Sequence, residues 1–430
     1  ANDVANSFSS SIGSNAITIN QATVIASICE FTGALVMGST VAKTIRKGIA
    51  DVDEYEDAPE ILMYGMMCSL ASVAMWLALA TRYGLPVSTT HSTVGAIIGM
   101  SIVARGFDSI TWGSETTSEF PYLTGVSKIV ASWIISPVMS GVVSYSLFNL
   151  LRFAILRREN SHMKAIYSFP VIVGITIIIN TYFIISKGSK REGWNDMYTD
   201  GEKIGISFFI GTISSVITAC LMPFIKNKIE DKSNSYKTDS VFEITDTVQE
   251  VHESTEVFDP KTEGVFSYCQ IFSAMCGAFA HGANDVANAM GPFAAIYSIY
   301  KTQSVDSESE VDIWILAIGG LGIVAGLSLY GMNIIKQIGV NLTKITPSRG
   351  LCIELAAAIV VIIGTKYEIP LSTTHCQVGS TIGVALHEGM DGINKHLLYK
   401  IIFGWLITLI IAGSTSGLIT AQGIYAPYNN

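Results

Sequence analysis

Charged residues are scarce in this 430-residue chain, where Lys, Arg, Asp and Glu make up only 14% of the sequence. Soluble globular domains carry about 25% charged residues, so this chain has too few to cover a surface that faces water. Hydrophobic residues make up 49% and the mean hydropathy is +0.44. Apolar segments near the length of about 20 residues that crosses a bilayer recur throughout the chain. The composition therefore indicates a polytopic helical membrane protein embedded in lipid, with no nucleic-acid partner.

Cysteine is also infrequent, and no pair of the seven cysteines has the spacing of a zinc site. Nearly all of them lie in apolar segments, so we expect free thiols. A metal centre that uses His91 or His375 is the disfavoured alternative, and we expect no resident cofactor.

Much of the net charge of −9 lies in one stretch, residues 226–263, which has ten acidic residues against five lysines. No apolar periodicity is evident there, which is typical of a solvated and flexible loop. We interpret this stretch as an acidic linker. A regulatory tail is the alternative.

Two phrases occur twice in the same order. ANDVAN occupies residues 1–6 and 283–288, and LPVSTTHSTVGAIIG at 85–99 is echoed by IPLSTTHCQVGSTIG at 369–383. The offsets are 283 − 1 = 282 and 369 − 85 = 284 residues. The phrases fall in the first and fourth segments of two five-segment sets. We predict an all-α fold of about twelve transmembrane segments, with discontinuous helices or re-entrant hairpins.

Two further helices separate the copies, so the second copy follows seven crossings and enters the membrane from the opposite face. Inverted repeats of this kind recur in secondary transporters, although channels use them too. The predicted regions are a first repeat (1–151), two linking helices (152–225), an acidic cytoplasmic loop (226–263), a second repeat (264–423) and a C-terminal tail (424–430).

Basic residues orient this topology. The link of residues 152–164 carries four basic residues and one acid, so we place it in the cytoplasm. Alternation then puts residues 105–121 outside, the acidic loop inside and both termini outside. An apolar stretch precedes the second ANDVAN phrase but not the first, so we expect the native first helix to begin before Ala1.

Asp3 and Asp285 lie among apolar residues at membrane depth, where a carboxylate is costly and usually marks an ion pathway. On a helix, the neighbouring amides share a face with each aspartate. Carboxylate and amide oxygens are hard ligands that suit Na⁺, so we predict a cation site at each aspartate. A structural Asp–Asn hydrogen-bond network is the alternative, which the identical duplication disfavours. The amides are Asn2, Asn6, Asn284 and Asn288.

Three consecutive hydroxyl residues follow a proline in each copy of the second phrase. We predict that Pro86 and Pro370 lie in the first turn of a new helix. Free backbone N–H groups and the helix dipole favour an anion there, whereas simple N-capping is the alternative. Because no Lys or Arg lies in the phrases, co-bound cations would have to offset the charge of the anion. The hydroxyl residues are Ser88, Thr89, Thr90, Ser372, Thr373 and Thr374.

Glu30 and Glu354 are further acids within apolar segments, and they are not equivalent, since the 284-residue offset aligns Glu354 with Leu70. Each is a candidate proton or cation group, and a satisfied structural carboxyl is the alternative. His91 and His375 could form hydrogen bonds or titrate. A role in helix packing is the alternative. His281 has no visible counterpart. The GxxxG steps at 95–99 and 379–383 indicate close helix packing.

HGANDVANAMGP, both serine-threonine-threonine-histidine phrases, CEFTGALVMG and TPSRGLCIELAAA together resemble the signature of the inorganic phosphate transporter (PiT) family. The likeness covers almost the whole chain. It implies a Na⁺- or H⁺-coupled symporter of inorganic phosphate, built from inverted repeats and often dimeric. It also implies that Gln377, the triplets, Asn6 and Asn288 serve phosphate, and that the other acids and amides serve cations. The missing glycine and helix before Ala1 leave the first cation site incomplete in this sequence.

The sequence therefore predicts a plasma-membrane symporter, not an enzyme, that moves phosphate with Na⁺ or H⁺ by alternating access. A homodimer is expected from the resemblance. The alternatives are a transporter of another oxyanion such as sulfate and a passive anion channel. An intramembrane hydrolase is disfavoured, because a symmetric pair of sites does not divide into nucleophile and base.

Overall fold

The computed structural model describes residues 1–113, 123–187, 198–236, 242–305, 311–366, 369 and 371–426. Within these ranges the chain is α-helical and has no β-strand, only one isolated bridge between Ala50 and Ile110. Eight of the described helices are long and apolar enough to cross a membrane. The predicted all-α polytopic class is confirmed. Pro370, part of the predicted outer loop (114–121) and part of the predicted tail (427–430) lie outside the described residues.

Five helices cover the first predicted repeat, and two more follow it. A π-helical turn (Arg152–Leu156) extends the fifth helix. The third and fourth helices pack against each other as a hairpin. The helices are α1 (Asn2–Gly13), α2 (Ile19–Lys47), α3 (Pro59–Arg82), α4 (Thr89–Arg105), α5 (Gly125–Leu151), α6 (Ser161–Lys187) and α7 (Asp200–Ser235).

The second predicted repeat begins with a 43-residue helix that runs without interruption through the second ANDVAN phrase. The helix that carries the second hydroxyl triplet (Thr373–Ala385) has 13 residues, and α1 has 12. Both are too short to cross a bilayer. A π-helical turn (Gln337–Asn341) follows α11, and a 3₁₀ segment (Leu386–Gly392) precedes α14. The helices are α8 (Asp246–Glu253), α9 (Pro260–Thr302), α10 (Ile313–Tyr330), α11 (Met332–Lys336), α12 (Pro347–Lys366), α13 (Thr373–Ala385) and α14 (Lys395–Tyr425).

In its described residues, 226–236 and 242–263, the acidic stretch is largely helical, whereas its composition suggests an irregular linker; residues 237–241 lie outside the described residues. Helix α7 runs into it as far as Ser235, α8 lies within it and α9 begins before it ends. Val248 and Val251 on α8 are buried, and so is Phe258. Two valines three residues apart put an apolar face on a short acidic helix, which is too weak a periodicity to stand out in the sequence.

The two repeats pack reciprocally. Helices α3 and α4 of the first repeat lie against α14 of the second, and α12 and α13 of the second lie against α5 of the first. The first helices cross over in the same way, since α9 packs on α2 while α1 packs on α11 and its π-helical extension. Reciprocal helix contacts of this kind are expected when two copies are related by a pseudo-twofold axis.

Glycines at the predicted GxxxG steps allow these helices to touch backbone to backbone. A Cβ atom on Gly99 would lie 2.0 Å from the carbonyl oxygen of Gly413 on α14. A Cβ atom on Gly383 would lie 2.2 Å from the carbonyl oxygen of Gly141 on α5. The prediction of close helix packing is confirmed at equivalent places in both repeats.

We expect Gly383→Ala to destabilise the protein, because the added methyl group meets a backbone oxygen that cannot move without its helix. Overpacking of this kind costs about 1–3 kcal/mol. Thermal unfolding in detergent should therefore begin at a lower temperature. Gly322→Ala on α10 is the matched control, because a Cβ atom there meets nothing within 4 Å. Equal unfolding temperatures for both variants would contradict the packing role.

Candidate functional site

Both aspartate phrases are helical and buried. Asp3 lies in the first turn of α1, and Asp285 lies in the interior of α9. Only 4% of Asp3 and 8% of Asp285 is exposed. Two carboxyl groups thus lie within the helical bundle, where each needs hydrogen-bond donors or cations.

The two hydroxyl triplets lie at the starts of α4 and α13. Ser88 and Ser372 are the N-caps, and their hydroxyl oxygens accept hydrogen bonds from the backbone N–H of His91 (3.3 Å) and His375 (3.2 Å). Simple capping thus accounts for the two serines. Pro86 precedes the cap and is not helical, so the prediction that it lies in the first helical turn is wrong. The serine cap defines where α4 begins instead.

Asp3 contacts the starts of both short helices. Its Oδ2 accepts a hydrogen bond from the backbone N–H of Thr89 at 2.9 Å, and the Thr89 hydroxyl donates to the same oxygen. Its Oδ1 accepts from the hydroxyl of Thr374 and from the Asn6 amide at 3.2 Å. A carboxylate from the first repeat therefore occupies donors at α4 and at α13 of the second repeat.

Asp285 repeats part of this pattern. Its Oδ2 accepts a hydrogen bond from the Thr373 hydroxyl at 2.8 Å, and its Oδ1 accepts from the Asn284 amide at 2.8 Å. The last asparagine of each phrase contacts the other repeat. Asn288 donates to the Thr89 hydroxyl at 3.4 Å. Asn6 correspondingly donates to a threonine hydroxyl on α13 at 2.7 Å. The two duplicated phrases therefore meet in one connected cluster.

The first amide of each phrase also contacts the segment that leads into a short helix. Asn2 donates to the carbonyl oxygen of Leu85 at 2.9 Å and accepts from the backbone N–H of Val87 at 3.1 Å. Asn284 also lies 3.4 Å from the carbonyl oxygen of Leu371, which precedes α13. These contacts position the segment that leads into each short helix.

Glu30 joins the cluster through His281, a connection that the sequence analysis did not make. His281 Nδ1 lies 2.8 Å from Glu30 Oε2, and His281 Nε2 lies 2.7 Å from Asp285 Oδ2. The sequence signal was the i, i+4 spacing of His281 and Asp285 on one helix. Gly282 permits the approach of α2, because a Cβ atom there would lie 2.1 Å from the carbonyl oxygen of Glu30.

Glu354 lies in a second polar network. Its Oε1 accepts hydrogen bonds from Ser10 (2.7 Å), Ser11 (2.5 Å) and Gln270 (3.1 Å), and Ser273 donates to its Oε2. All four donors are neutral. These hydrogen bonds are those expected of a structural carboxyl group, which is the alternative role for Glu354. None of the donors is positively charged, so these contacts do not neutralise the charge of the carboxylate. The serine run at residues 9–11 was the overlooked signal.

A small cavity with both polar and apolar residues in its wall lies between the cluster and the Glu354 network. Among the described residues, no Lys or Arg lines it. The Oδ1 atom of Asn6 is buried without a hydrogen-bond partner. Thr90 is directed elsewhere, with its hydroxyl 3.5 Å from the Leu371 carbonyl oxygen. The polar lining residues are Asn6, Ser7, His281, Glu354, Thr373 and Gln377.

His91 and His375 meet between the two repeats. Their ring centroids are 4.5 Å apart, and each contacts a tryptophan: His91 stacks on Trp133 at 3.8 Å, and His375 lies tilted against Trp405 at 3.7 Å. His375 Nδ1 also donates to the Trp133 carbonyl oxygen at 3.0 Å. Among the described residues no three His, Cys, Asp or Glu side chains are grouped to hold a metal ion. The contacts of both histidines are those of helix packing.

A family model described as the phosphate transporter family matches residues 1–416. A putative phosphate permease of Pyrococcus abyssi is 36% identical over 97% of this chain and 93% of its own length. An inorganic phosphate transporter of Arabidopsis thaliana, named as chloroplastic, is 32% identical over 98% of this chain and 69% of its own length.

A solved structure described as the sodium-dependent phosphate transporter has the same fold. It aligns with a TM-score of 0.80 at 30% sequence identity, over 99% of this chain and 95% of that chain. The similarity thus extends over both repeats and the segment between them.

Proposed function

This chain belongs to the phosphate transporter family, and we propose that it is a symporter that couples phosphate uptake to Na⁺ by alternating access. Membership makes it an integral membrane transporter and not an enzyme. The name of the structural neighbour supports Na⁺ as the coupling ion. Coupling to H⁺ is the second candidate, favoured by the bridge from Glu30 through His281 to Asp285.

One observation carries the proposal: the aspartates occupy the donors that an anion would need. Asp3 accepts from the backbone N–H of Thr89, and Asp285 accepts from the hydroxyl of Thr373. A cation that binds the aspartates would compete with these donors for the carboxylate oxygens. The freed hydroxyl and N–H groups could then bind phosphate, and the cation would offset the anion's charge. Each ion thus makes the other's site more favourable.

The proposed roles follow from these contacts. Cations bind at Asp3 and Asp285, with two auxiliary carboxylates: Glu354 in the cavity wall and Glu30 behind His281. Asn2 and Asn284 hold the hairpins that supply the donors. Phosphate binds between the helix starts and the cavity. Its proposed ligands are Thr89, Thr373, Thr374, Asn6, Asn288 and Gln377. Ser88 and Ser372 act through the helix caps, and Thr90, which is directed elsewhere, is not among the ligands.

Location in the plasma membrane and assembly as a homodimer remain predictions from the sequence. The chloroplastic relative from Arabidopsis thaliana bears a name that specifies a different membrane, so membership of the family does not by itself determine location.

We expect Asp285→Asn to reduce coupled phosphate uptake to background while membrane insertion persists. The change removes the charge that holds the cation and the partner of His281. Breaking a buried pair costs about 3–5 kcal/mol, which is more than about 100-fold in rate if it falls on transport. Radiolabelled phosphate uptake into proteoliposomes measures the effect. Asp108→Asn, an exposed acid after α4, is the control, and normal uptake by Asp285→Asn would refute the assigned role.

We expect the double change Thr373→Val and Thr374→Val to weaken phosphate binding more than Na⁺ binding. Each lost hydrogen bond to a charged group is worth about 1.5–3 kcal/mol, so the phosphate KM should rise at least about tenfold. Thr381→Val is the matched control, because this buried threonine lies on the same helix and its hydroxyl donates within the helix, to the Gln377 carbonyl oxygen at 2.8 Å. Equal losses for phosphate and Na⁺ would count against the anion assignment.

Imposed gradients separate the proposal from its alternatives. An inward Na⁺ gradient alone should drive phosphate into proteoliposomes above its external concentration, whereas a pH gradient alone should not. A passive anion channel cannot concentrate phosphate under either gradient. Competition by sulfate at a concentration equal to that of phosphate tests the other oxyanion: strong inhibition of phosphate uptake would contradict selectivity for phosphate.

A further inference from the structure

Residues 242–259, called the strap below, cross the end of the bundle that is predicted to be cytoplasmic. The strap contains α8 and ends at Asp259, whose carboxylate caps α9 by accepting from the backbone N–H of Thr262 at 3.0 Å. The buried side chains of Val248, Val251 and Phe258 face the bundle. The strap is therefore packed onto the transporter along its length.

The strap is attached to the second repeat by three hydrogen bonds, one of which Arg349 Nη2 donates to the backbone carbonyl oxygen of Glu256 at 2.9 Å. His252 Nε2 lies 2.9 Å from the carbonyl oxygen of Val340, and since a carbonyl only accepts, this nitrogen donates. The Ser254 hydroxyl donates to the carbonyl oxygen of Asp391 at 3.2 Å. The acceptors of these last two hydrogen bonds lie in segments between the helices of the second repeat.

Glu256 attaches the strap to the end of the first repeat. Arg157 donates to its carboxylate twice, through Nε at 2.8 Å and Nη2 at 2.9 Å, and Arg152 donates to it as well. Both arginines follow α5 directly. Phe258 packs edge-on against Phe148 of α5, with ring centroids 6.2 Å apart. The strap thus bridges the two repeats.

Glu256 is charged but accessible. Burial acts to raise its pKa, but the hydrogen bonds and charges of Arg157 and Arg152 outweigh burial and hold the pKa below its ordinary value. Its side chain is 28% exposed and that of Arg157 is 55% exposed. The side chain of Arg152 is only 9% exposed, so the pair with Arg157 is the exposed part of this attachment. Exposed ion pairs are weak and break readily.

A ladder of hydrogen bonds runs from the cavity to the strap side. Gln377 donates to Ser10 at 3.5 Å, and Ser10 donates to Glu354. Gln270 donates to the same carboxylate, and Ser14 donates to Gln270 Oε1 at 2.6 Å. The ladder leads from the proposed phosphate site to the last residues of α1.

Tyr236, six residues before the strap, covers the end of this ladder. Its hydroxyl donates to the carbonyl oxygen of Ser14 at 2.7 Å. Phe242, the first residue of the strap, packs against the apolar cluster that contains Ile12 and Ile17 beside the end of α1. The polar path from the cavity therefore ends beneath Tyr236 and the start of the strap.

We propose that the strap and Tyr236 form a gate over this polar path, and that release of Glu256 from its arginines opens the gate when the two repeats move. The purpose of the gate rests on the proposed transport function, but the opening of the gate can be measured without transport. A bridge between two repeats must yield when they shift, and the pair of Glu256 with Arg157 is an attachment that lies open to solvent.

The test measures access to the covered end of the ladder. Ser14→Cys places a thiol beneath Tyr236, and a charged, membrane-impermeant maleimide reports its exposure in the full-length protein in detergent. The same chain with Ser14 retained gives the background from the natural cysteines. Adding Glu256→Gln should raise the labelling rate of the Ser14→Cys thiol about fivefold, as expected for loss of about 1 kcal/mol from an exposed ion pair.

Glu253→Gln is the matched control, because this exposed acid lies on α8 and its side chain accepts a hydrogen bond from Gln249 on the same helix. It should leave labelling unchanged. Tyr236→Phe removes only one hydroxyl and should also raise labelling, which keeps the test decisive if Glu256→Gln fails to fold. Unchanged labelling in Tyr236→Phe and Glu256→Gln, or an equal rise in Glu253→Gln, would overturn the gate. Increased labelling in a protein that does not transport phosphate would retain the gate and refute the proposed function.

Discussion

The carboxylate of Asp3 at the start of α4 is the contact on which the arrangement of the site depends. It lies in the interior, where an unpaired charge is very unfavourable, and it is surrounded by donors from both repeats. The same contact fixes α1 against the hairpin of its own repeat and against α13 of the other. The same hydrogen bonds therefore fix the position of the Asp3 carboxylate, stabilise its charge and connect the two repeats.

The apolar segments, the duplicated phrases and their convergence could be predicted because each leaves a strong local pattern. Helix existence follows from length and hydrophobicity, and the buried aspartates stand out against apolar neighbours. The partners of Glu30 and Glu354 could not be predicted, because they depend on which helices cross and at which residue. Gly282 sets one such crossing, but a single glycine in a helical sequence does not identify its partner helix. The packing of the strap could not be predicted from the sequence, because only two buried valines mark the apolar face of a helix that is otherwise rich in acidic residues.

The two intramembrane glutamates differ in how their charge is compensated. Glu30 lies beside a histidine that also contacts Asp285, so a proton on the imidazole would be shared between two carboxyl groups. Glu354 is surrounded by hydroxyl and amide donors, which stabilise the anion without neutralising it. The two surroundings thus differ in charge, although both residues look alike in the sequence.

The reciprocal packing of the hairpins has a consequence for how such a chain could originate. Each hairpin finds its complementary surface on the fifth helix of the other repeat, and the glycine contacts that allow this are equivalent on both sides. A half-length polypeptide would carry both surfaces without a way to join them to each other. If the two repeats have the inverted topology that the sequence predicts, such a polypeptide would complete its interior by pairing with a copy of itself inserted in the opposite orientation.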